Sequence, residues 1–499
     1  MKKVQLIAAL VLVVMAMCSC TNTDYQKTIP ANATLVVKAD MKSISEKTDF
    51  QNSKMRGLLE GVMATVVKGK DLKAVRDYVD DPMKMGIDWS MPIYFFMVGD
   101  ETLGLTMKVN DDDGVKDFIL LLKDQGMASK PVDKDGLMCG TLFDDIHYAY
   151  DANSLLLVAS MKGGGSSTMS RMVRELMNQN EKDCFISTEL FDRMNEEEKD
   201  IVSCSNGEVP KGMGALSTAF STLLLPPSVK AKDLYFVSWG NFENGQMVFS
   251  SHVYGKTEKA QKALQEMDNQ LGAIEGKYIG RASDKTLVWA GAHVKGDWML
   301  GKLKGVKDIK ELLFMAERAI DIEQMLRTVD GDMAVELRVE EADYNAKDPF
   351  GYVAYAELKN TDFLADVDDW KQSMKEFGMK MQDNGENQYV LVANKDTIGW
   401  GVQDKDLYFV SANSNVQEQG GNPSLEACKD DIQKNKFYLW VDLTKIPWAK
   451  FAQKNLTPIF AEPLSKLNVL VVKASSADEV TLTLELKNKD ENILKQLLK

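Results

Sequence analysis

Val480-Thr-Leu-Thr-Leu-Glu-Leu486, followed by Lys487-Asn-Lys-Asp490-Glu-Asn-Ile493-Leu-Lys-Gln-Leu-Leu498, changes period halfway along. Val480, Leu482, Leu484 and Leu486 alternate with Thr and Glu, the spacing of a strand with one buried face. Ile493, Leu494, Leu497 and Leu498 then recur at helical spacing and share one face, with Asp490 expected as the cap. A half-buried strand leading directly into an amphipathic helix points to antiparallel α+β architecture. No regular alternation of strand and helix with a Gly-rich first turn is present, which argues against a doubly wound parallel sheet.

The same succession of two alternating segments, a polar cap and a helix is read at Ile93–Lys123, Leu234–Leu271, Tyr352–Phe377 and Asn468–Leu498. A longer self-similarity links residues 114–160 to residues 366–412 at a constant offset of 252. Phe118 meets Trp370, Gly126-Met127 meets Gly378-Met379, Ile146 meets Ile398, Tyr148 meets Trp400, and Leu155–Val158 meets Leu407–Val410. Conserved spacing with exchanged apolar residues is what two copies of one supersecondary unit would show. The openings Ala33–Asp40, Lys285–Ala292 and Lys436–Asp442 read as one strand used three times. The expectation is therefore an α+β fold of two homologous halves, 29–275 and 284–499, built from antiparallel strand-strand-helix units. The join falls near Gly272–Asp284. Further helices are expected at 52–66, 167–179, 190–202 and 308–327.

The N-terminus sets the compartment. Met1-Lys2-Lys3 supplies a positive head, Leu6 to Met17 is an apolar run of twelve residues, and Ser19 is a small residue before Cys20. A membrane-spanning helix needs about 20 apolar residues, so this run reads as a signal core. Residues 1–19 are expected to be a cleaved signal peptide and residues 20–28 a polar tether. Met17-Cys18-Ser19-Cys20 resembles the bacterial lipobox, which implies acyl chains, palmitate among them, on Cys20 and a permanent hold on the membrane.

The formal charge is −14, and loss of Lys2 and Lys3 takes it to about −16. Phosphate backbones repel such a chain, which argues against nucleic acid as a partner. Beyond Cys18 and Cys20 the cysteines are Cys139, Cys184, Cys204 and Cys428, too few for a disulfide framework. Cys184 and Cys204 are a candidate pair in an oxidising compartment. The alternative is that all four are buried apolar thiols.

Ile29-Pro30-Ala31-Asn32-Ala33-Thr-Leu-Val-Val-Lys-Ala-Asp40, with the lipobox before it and Leu484–Asn492 near the end, resembles a lipoprotein family of Bacteroidota catalogued as domain of unknown function 4836. The resemblance covers the whole mature chain. It implies a cell-envelope home, with the outer membrane as the expected site, and brings no agreed activity or catalytic motif.

The remaining motifs read more simply as structure. Asp111-Asp112-Asp113-Gly114 resembles a calcium loop but lacks the later Glu, and cap-type residues stand at the equivalent places, so a helix N-cap is expected. Asp144-Asp145 faces Asp396-Thr397 in the second copy, where a hairpin would turn. Asp396-Thr397-Ile398 also matches a short O-glycosylation sequon, making Thr397 a candidate acceptor. His147, His252 and His293 are far apart and lack metal-type partners, and Gly163–Ser167 lacks the ending of a phosphate loop. No cofactor, metal or catalytic residue is expected. The reading is a non-catalytic, membrane-anchored scaffold for a protein or glycan of the envelope. The alternatives are a carrier of an apolar ligand such as lipid and a hydrolase of an envelope polymer.

Overall fold

The structure is a computed structural model. It describes residues 24–498 except 50–55, 58–70, 164, 209–228, 306–309, 312, 315–316, 318–319, 342–343, 345–348, 394–395, 417–420 and 449–460. The signal peptide, Cys20 and most of the helix expected at 52–66 lie outside the described residues.

The chain divides into two compact units. The first comprises Met1–Thr218, Ala231–Lys256 and Asn488–Lys499, and the second Ala219–Lys230 and Thr257–Lys487. Alternating apolar residues give the first unit strands β1 (Leu35–Ala39), β2 (Ile93–Val98), β3 (Thr102–Lys108), β4 (Val132–Lys134), β5 (Leu137–Leu142), β6 (Ile146–Tyr150), β7 (Ser154–Ser160), β8 (Ile201–Ser205), β9 (Leu234–Glu243) and β10 (Gln246–Gly255). Their antiparallel pairings order them β4-β5-β6-β7-β3-β2-β1-β8-β9-β10.

The second unit carries β11 (Leu271–Gly272), β12 (Thr286–Lys295), β13 (Val329–Val339), β14 (Phe350–Leu358), β15 (Lys380–Gly385), β16 (Gln388–Ala393), β17 (Asp396–Gln403), β18 (Asp406–Ser411), β19 (Phe437–Asp442), β20 (Leu467–Ser476) and β21 (Glu479–Leu486). Here the order is β15-β16-β17-β18-β14-β13-β12-β19-β20-β21, again antiparallel throughout, with β11 paired to the end of β12. The two sheets have the same strand order. The fold is α+β, as the period change predicts.

Both faces of the first sheet are covered in part by helices. On one face, Met169, Val173 and Leu176 of helix Ser166–Met177 and Leu190 and Met194 of helix Glu189–Asn195 pack on Phe96, Leu156, Val158 and Val202. On the other, helix Asp112–Asp124 places Val115 and Ile119 against Met107, Tyr148 and Leu155. Alternate residues of one strand point to opposite faces, so neighbours such as Leu155 and Leu156 serve different cores.

Three sequence expectations need correction. Helix 190–202 ends at Asn195, because Ile201–Ser205 pairs with β1 as a strand, and long-range ladder bonds override the local helical spacing. The C-terminal helix begins at Ile493, so its cap is Asn492, whose side chain accepts from the Leu494 amide at 3.0 Å, and Asp490 stands two residues too early. The stretch taken as tether is folded from Asp24 onward: Asp24–Thr28 is a 3-10 turn with Tyr25, Gln26 and Thr28 buried. The Thr28 hydroxyl donates to the Tyr25 carbonyl at 2.8 Å and lies 2.8 Å from the Thr106 hydroxyl, which fixes this turn to β3. No helix among the described residues is long and apolar enough to cross a membrane.

Candidate functional site

Helix Asp112–Asp124 does not lie flush on its sheet. Val115, Phe118, Ile119 and Leu122 recur at helical spacing and form one wall of a cavity of about 150 Å³. Leu105 and Met107 of β3, Ile146 and Tyr148 of β6, and Leu155 and Leu157 of β7 form the floor, each pair separated by two along its strand. Met85, Ile87, Trp89 and Ile93 close one end, and Leu142 and Phe143 contribute from the β5–β6 hairpin. All of these residues belong to the first unit.

The polar tips in this lining are already bonded to the backbone. The Trp89 indole N–H donates to the Pro82 carbonyl at 3.1 Å, and the Tyr148 hydroxyl donates to the Ser129 carbonyl at 3.4 Å. Burial, reinforced by neighbouring Tyr150, holds the Tyr148 phenol above its ordinary range. Tyr150 itself is pushed up to about 12 by burial and by the carboxylates of Asp112, Asp113 and Asp117. Both rings are thus neutral phenols, and the cavity wall carries hydrocarbon and no ionised group.

Gly86 makes the closed end possible. Its φ is 75°, and a Cβ there would stand 2.0 Å from the Asp111 carbonyl oxygen and 2.5 Å from the Val115 nitrogen. Its own carbonyl accepts from the Asn110 and Asp111 amides at 2.8 and 3.1 Å. The 3-10 turn Pro82–Met85 can therefore butt directly against the start of helix Asp112–Asp124. Asp111 holds the N-cap position by its backbone, and its side chain makes no capping bond.

The other sequence candidates are scattered. Thr397 lies in β17 opposite Val392, beside a hairpin and partly buried. Cys184 and Cys204 are free thiols in the first unit, with Sγ atoms 3.0 Å from the Asn180 carbonyl and 3.5 Å from the Leu190 carbonyl. Burial raises both, Cys204 to about 12, and neither is poised as a thiolate. Asp144-Asp145 belongs to the hairpin turn between β5 and β6, with Asp144 at φ 67°. His147 is buried on the sheet face opposite the cavity, its Nε2 3.5 Å from the Ser166 hydroxyl. His293 Nδ1 lies 3.1 Å from Asp332, and His252 stacks on Tyr254. No group of metal-ligating side chains occurs among the described residues.

The cavity was not among the sequence candidates, yet a signal for it exists. At the 252-residue offset, Phe118, Tyr148 and Leu157 face Trp370, Trp400 and Phe409. The first copy has the smaller apolar residue at each position.

The family described as Domain of unknown function (DUF4836) matches residues 25–494. No curated protein matches the chain. Among solved structures, crystal form IV of TP0453 is similar with a TM-score of 0.27 and 10% identity, covering 46% of this chain and 79% of that one. Crystal form III of TP0453 gives a TM-score of 0.28 at 10% identity, covering 50% and 88%.

Proposed function

Because the chain belongs to the DUF4836 family, whose description assigns no activity, we propose a function from its own residues: a non-catalytic binding protein of the bacterial cell envelope, anchored by acyl chains on Cys20, that takes an apolar group into its first unit. One observation carries the binding half of this reading, the hydrocarbon-lined cavity beneath helix Asp112–Asp124. Cavities of about this size, lined by Leu, Ile and Phe, stay dry and accept a molecule as small as benzene. Some six carbon atoms fit. At roughly 0.8 kcal/mol per buried methylene they contribute about 5 kcal/mol, which alone corresponds to binding in the range of 0.1–1 mM. The cavity is thus sized for one apolar end of a larger molecule.

The anchoring half rests on the leader and on Cys20, which precedes the first described residue by four positions. Four extended residues reach only about 13–14 Å, so the first unit stays close to the bilayer.

The test is titration of the chain from residue 20 onward, carrying Cys20→Ser and purified without detergent, with N-phenyl-1-naphthylamine. Fluorescence should rise saturably, and Leu157→Phe, which places the second copy's residue at the cavity floor, should abolish the rise. No saturable signal, or an unchanged one in Leu157→Phe, overturns the reading. Mass spectrometry of the protein from membranes should find acyl chains on Cys20, and an unmodified thiol there removes the anchor.

A further inference from the structure

Phe143 stands in a backbone conformation that its side chain disfavours. Its φ is 51°, in the left-handed region, where a bulky residue is an outlier. Seven non-glycine residues among those described have positive φ, and five of them are Asp or Asn, the types whose short polar side chains tolerate it. Phe143 is the aromatic exception, and it is the one whose side chain lines the cavity. The loop offers this position to Gly or Asn without strain, so turn formation does not explain a phenylalanine. The ring does. Backbone strain of this kind is characteristically held where a side chain has work at a binding site.

Resting on the reading that the cavity binds, we propose that its occupant is the end of an unbranched acyl chain and that Phe143 sets how much of that chain it admits. The polar tips of Trp89 and Tyr148 are bonded to backbone carbonyls, so an entering group finds no partner for a hydroxyl, an amide or a carboxylate. Only a segment without polar atoms enters, which excludes sugars and the polar-tipped side chains of Tyr and Trp. The available space ends after a few carbons, so the polar remainder of the ligand stays outside. Met85 and Met107 supply unbranched, adaptable walls that follow a flexible chain better than a flat ring. Trp89 and Tyr148 are closed off from solvent, whereas Leu142, Phe143 and Ile146 are half-buried. Ile93, Leu105, Phe118 and Leu157 are half-buried as well, so the strained ring stands on the solvent-side margin of the cavity together with them.

Displacement of N-phenyl-1-naphthylamine by straight-chain fatty acids of six to fourteen carbons, and by 4-phenylbutyrate, tests this on the same Cys20→Ser chain. Affinity should climb with chain length and level off near eight carbons, with octanoate at least fivefold better than 4-phenylbutyrate. Phe143→Gly should weaken octanoate at least fivefold and move the plateau to longer chains, while the thermal midpoint stays or rises because the strain is gone. Phe143→Asn, which also tolerates the left-handed region, should behave alike and guards against a turn-specific artefact. Equal displacement by 4-phenylbutyrate, or no dependence on chain length, overturns the acyl ligand. Unaltered octanoate binding and plateau in both variants overturn the role of Phe143. Absence of any probe signal in the unsubstituted chain is a different failure, that of the binding reading itself.

Discussion

One place in the fold is built twice and filled differently. In the first unit, helix Asp112–Asp124 stands over β3, β6 and β7 with a cavity of about 150 Å³ between them. In the second, helix Val367–Glu376 stands over β14, β17 and β18, and Phe363, Trp370, Tyr389, Trp400 and Phe409 occupy the interval. Trp400 lies 4.6 Å from Tyr389, 6.3 Å from Trp370 and 6.5 Å from Phe409, and Trp370 stacks on Phe363 at 6.1 Å. Strand order agrees, and β6 and β7 match β17 and β18 residue for residue, so the larger rings of the second unit account for the filling there. A void forfeits dispersion contacts on every atom that lines it, which is the reason to connect this one with binding.

Cutting into the filled copy gives the largest expected effect. Trp370→Ala should destabilise the second unit by about 3–5 kcal/mol, the usual loss for a buried ring that leaves a cavity. Phe118→Ala, at the equivalent position, removes a smaller and half-exposed ring that already borders a void, and should cost about half as much. Hydrogen exchange followed separately in the two units during denaturant titration measures both. Equal losses would mean that the first copy is packed as tightly as the second, and the contrast would disappear.

The end wall supplies the next test. Gly86→Ala forces a Cβ into the Asp111 carbonyl and holds Ala at a φ of 75°. Strain and overpacking of this kind together cost about 2–4 kcal/mol. The loss should appear in the first unit, and its helix Asp112–Asp124 should exchange faster. If Gly86→Ala is neutral, the turn and the helix are not in close contact and the cavity has no fixed end.

Leu157→Phe should act with opposite sign. Filling the void with the ring that the second copy carries as Phe409 should raise first-unit stability by about 0.5–2 kcal/mol while probe binding is lost. A gain in stability with loss of binding is the signature of a space kept open at a cost. A loss of both would show that the void is too narrow for a ring and that the two copies differ in backbone as well as side chains.

How much of this was legible beforehand depends on which residues carry it. Alternation in Val480–Leu486 gives β21, and helical spacing after Asp111 gives helix Asp112–Asp124, because one buried face dictates both periods. The offset of 252 correctly aligns β6 and β7 with β17 and β18, but it misplaces β5 against β16, where Tyr389 stands opposite Trp400 as Gly140 stands opposite Tyr148. It fails to separate β1, β12 and β19, whose openings look alike. β1 and β12 occupy the same place in their sheets, but β19 is the strand beside β12, because central strands covered on one face share an apolar pattern whatever their position. Expected helix 190–202 broke at Asn195 for the same reason in reverse, since pairing of Val202 and Cys204 with β1 and β9 is invisible to local spacing. The cavity escaped because apolar exchanges were read as equivalent. Tyr for Trp and Leu for Phe preserve the pattern and change the volume, and volume is what a binding site is made of. Phe143 escaped because a single phenylalanine beside Asp144-Asp145 carries no sign that its backbone is left-handed.

The smallest effect expected separates the copies by acid. His147 of β6 faces Gly399 of β17 at the common offset, so this position is titratable in the first unit only. Burial lowers the His147 pKa below the ordinary imidazole value of 6.5, with Asp145 opposing the shift. A base that protonates more readily unfolded than folded withdraws stability as pH falls. The contribution is intact above pH 6.5, where both states are neutral, and declines as pH drops below it, until the folded imidazole also takes up its proton. First-unit stability measured between pH 7.5 and 5 should therefore slope downward toward acid, and His147→Gln should flatten that slope. The site of the effect bears on the cavity: His147 and Tyr148 are consecutive on β6 and face opposite ways, so a proton on one side of the sheet loosens the floor on the other. Probe binding should weaken over the same interval in the unsubstituted chain and hold steady in His147→Gln. A slope that survives the substitution would assign the acid response to another group and leave the two copies alike in this respect.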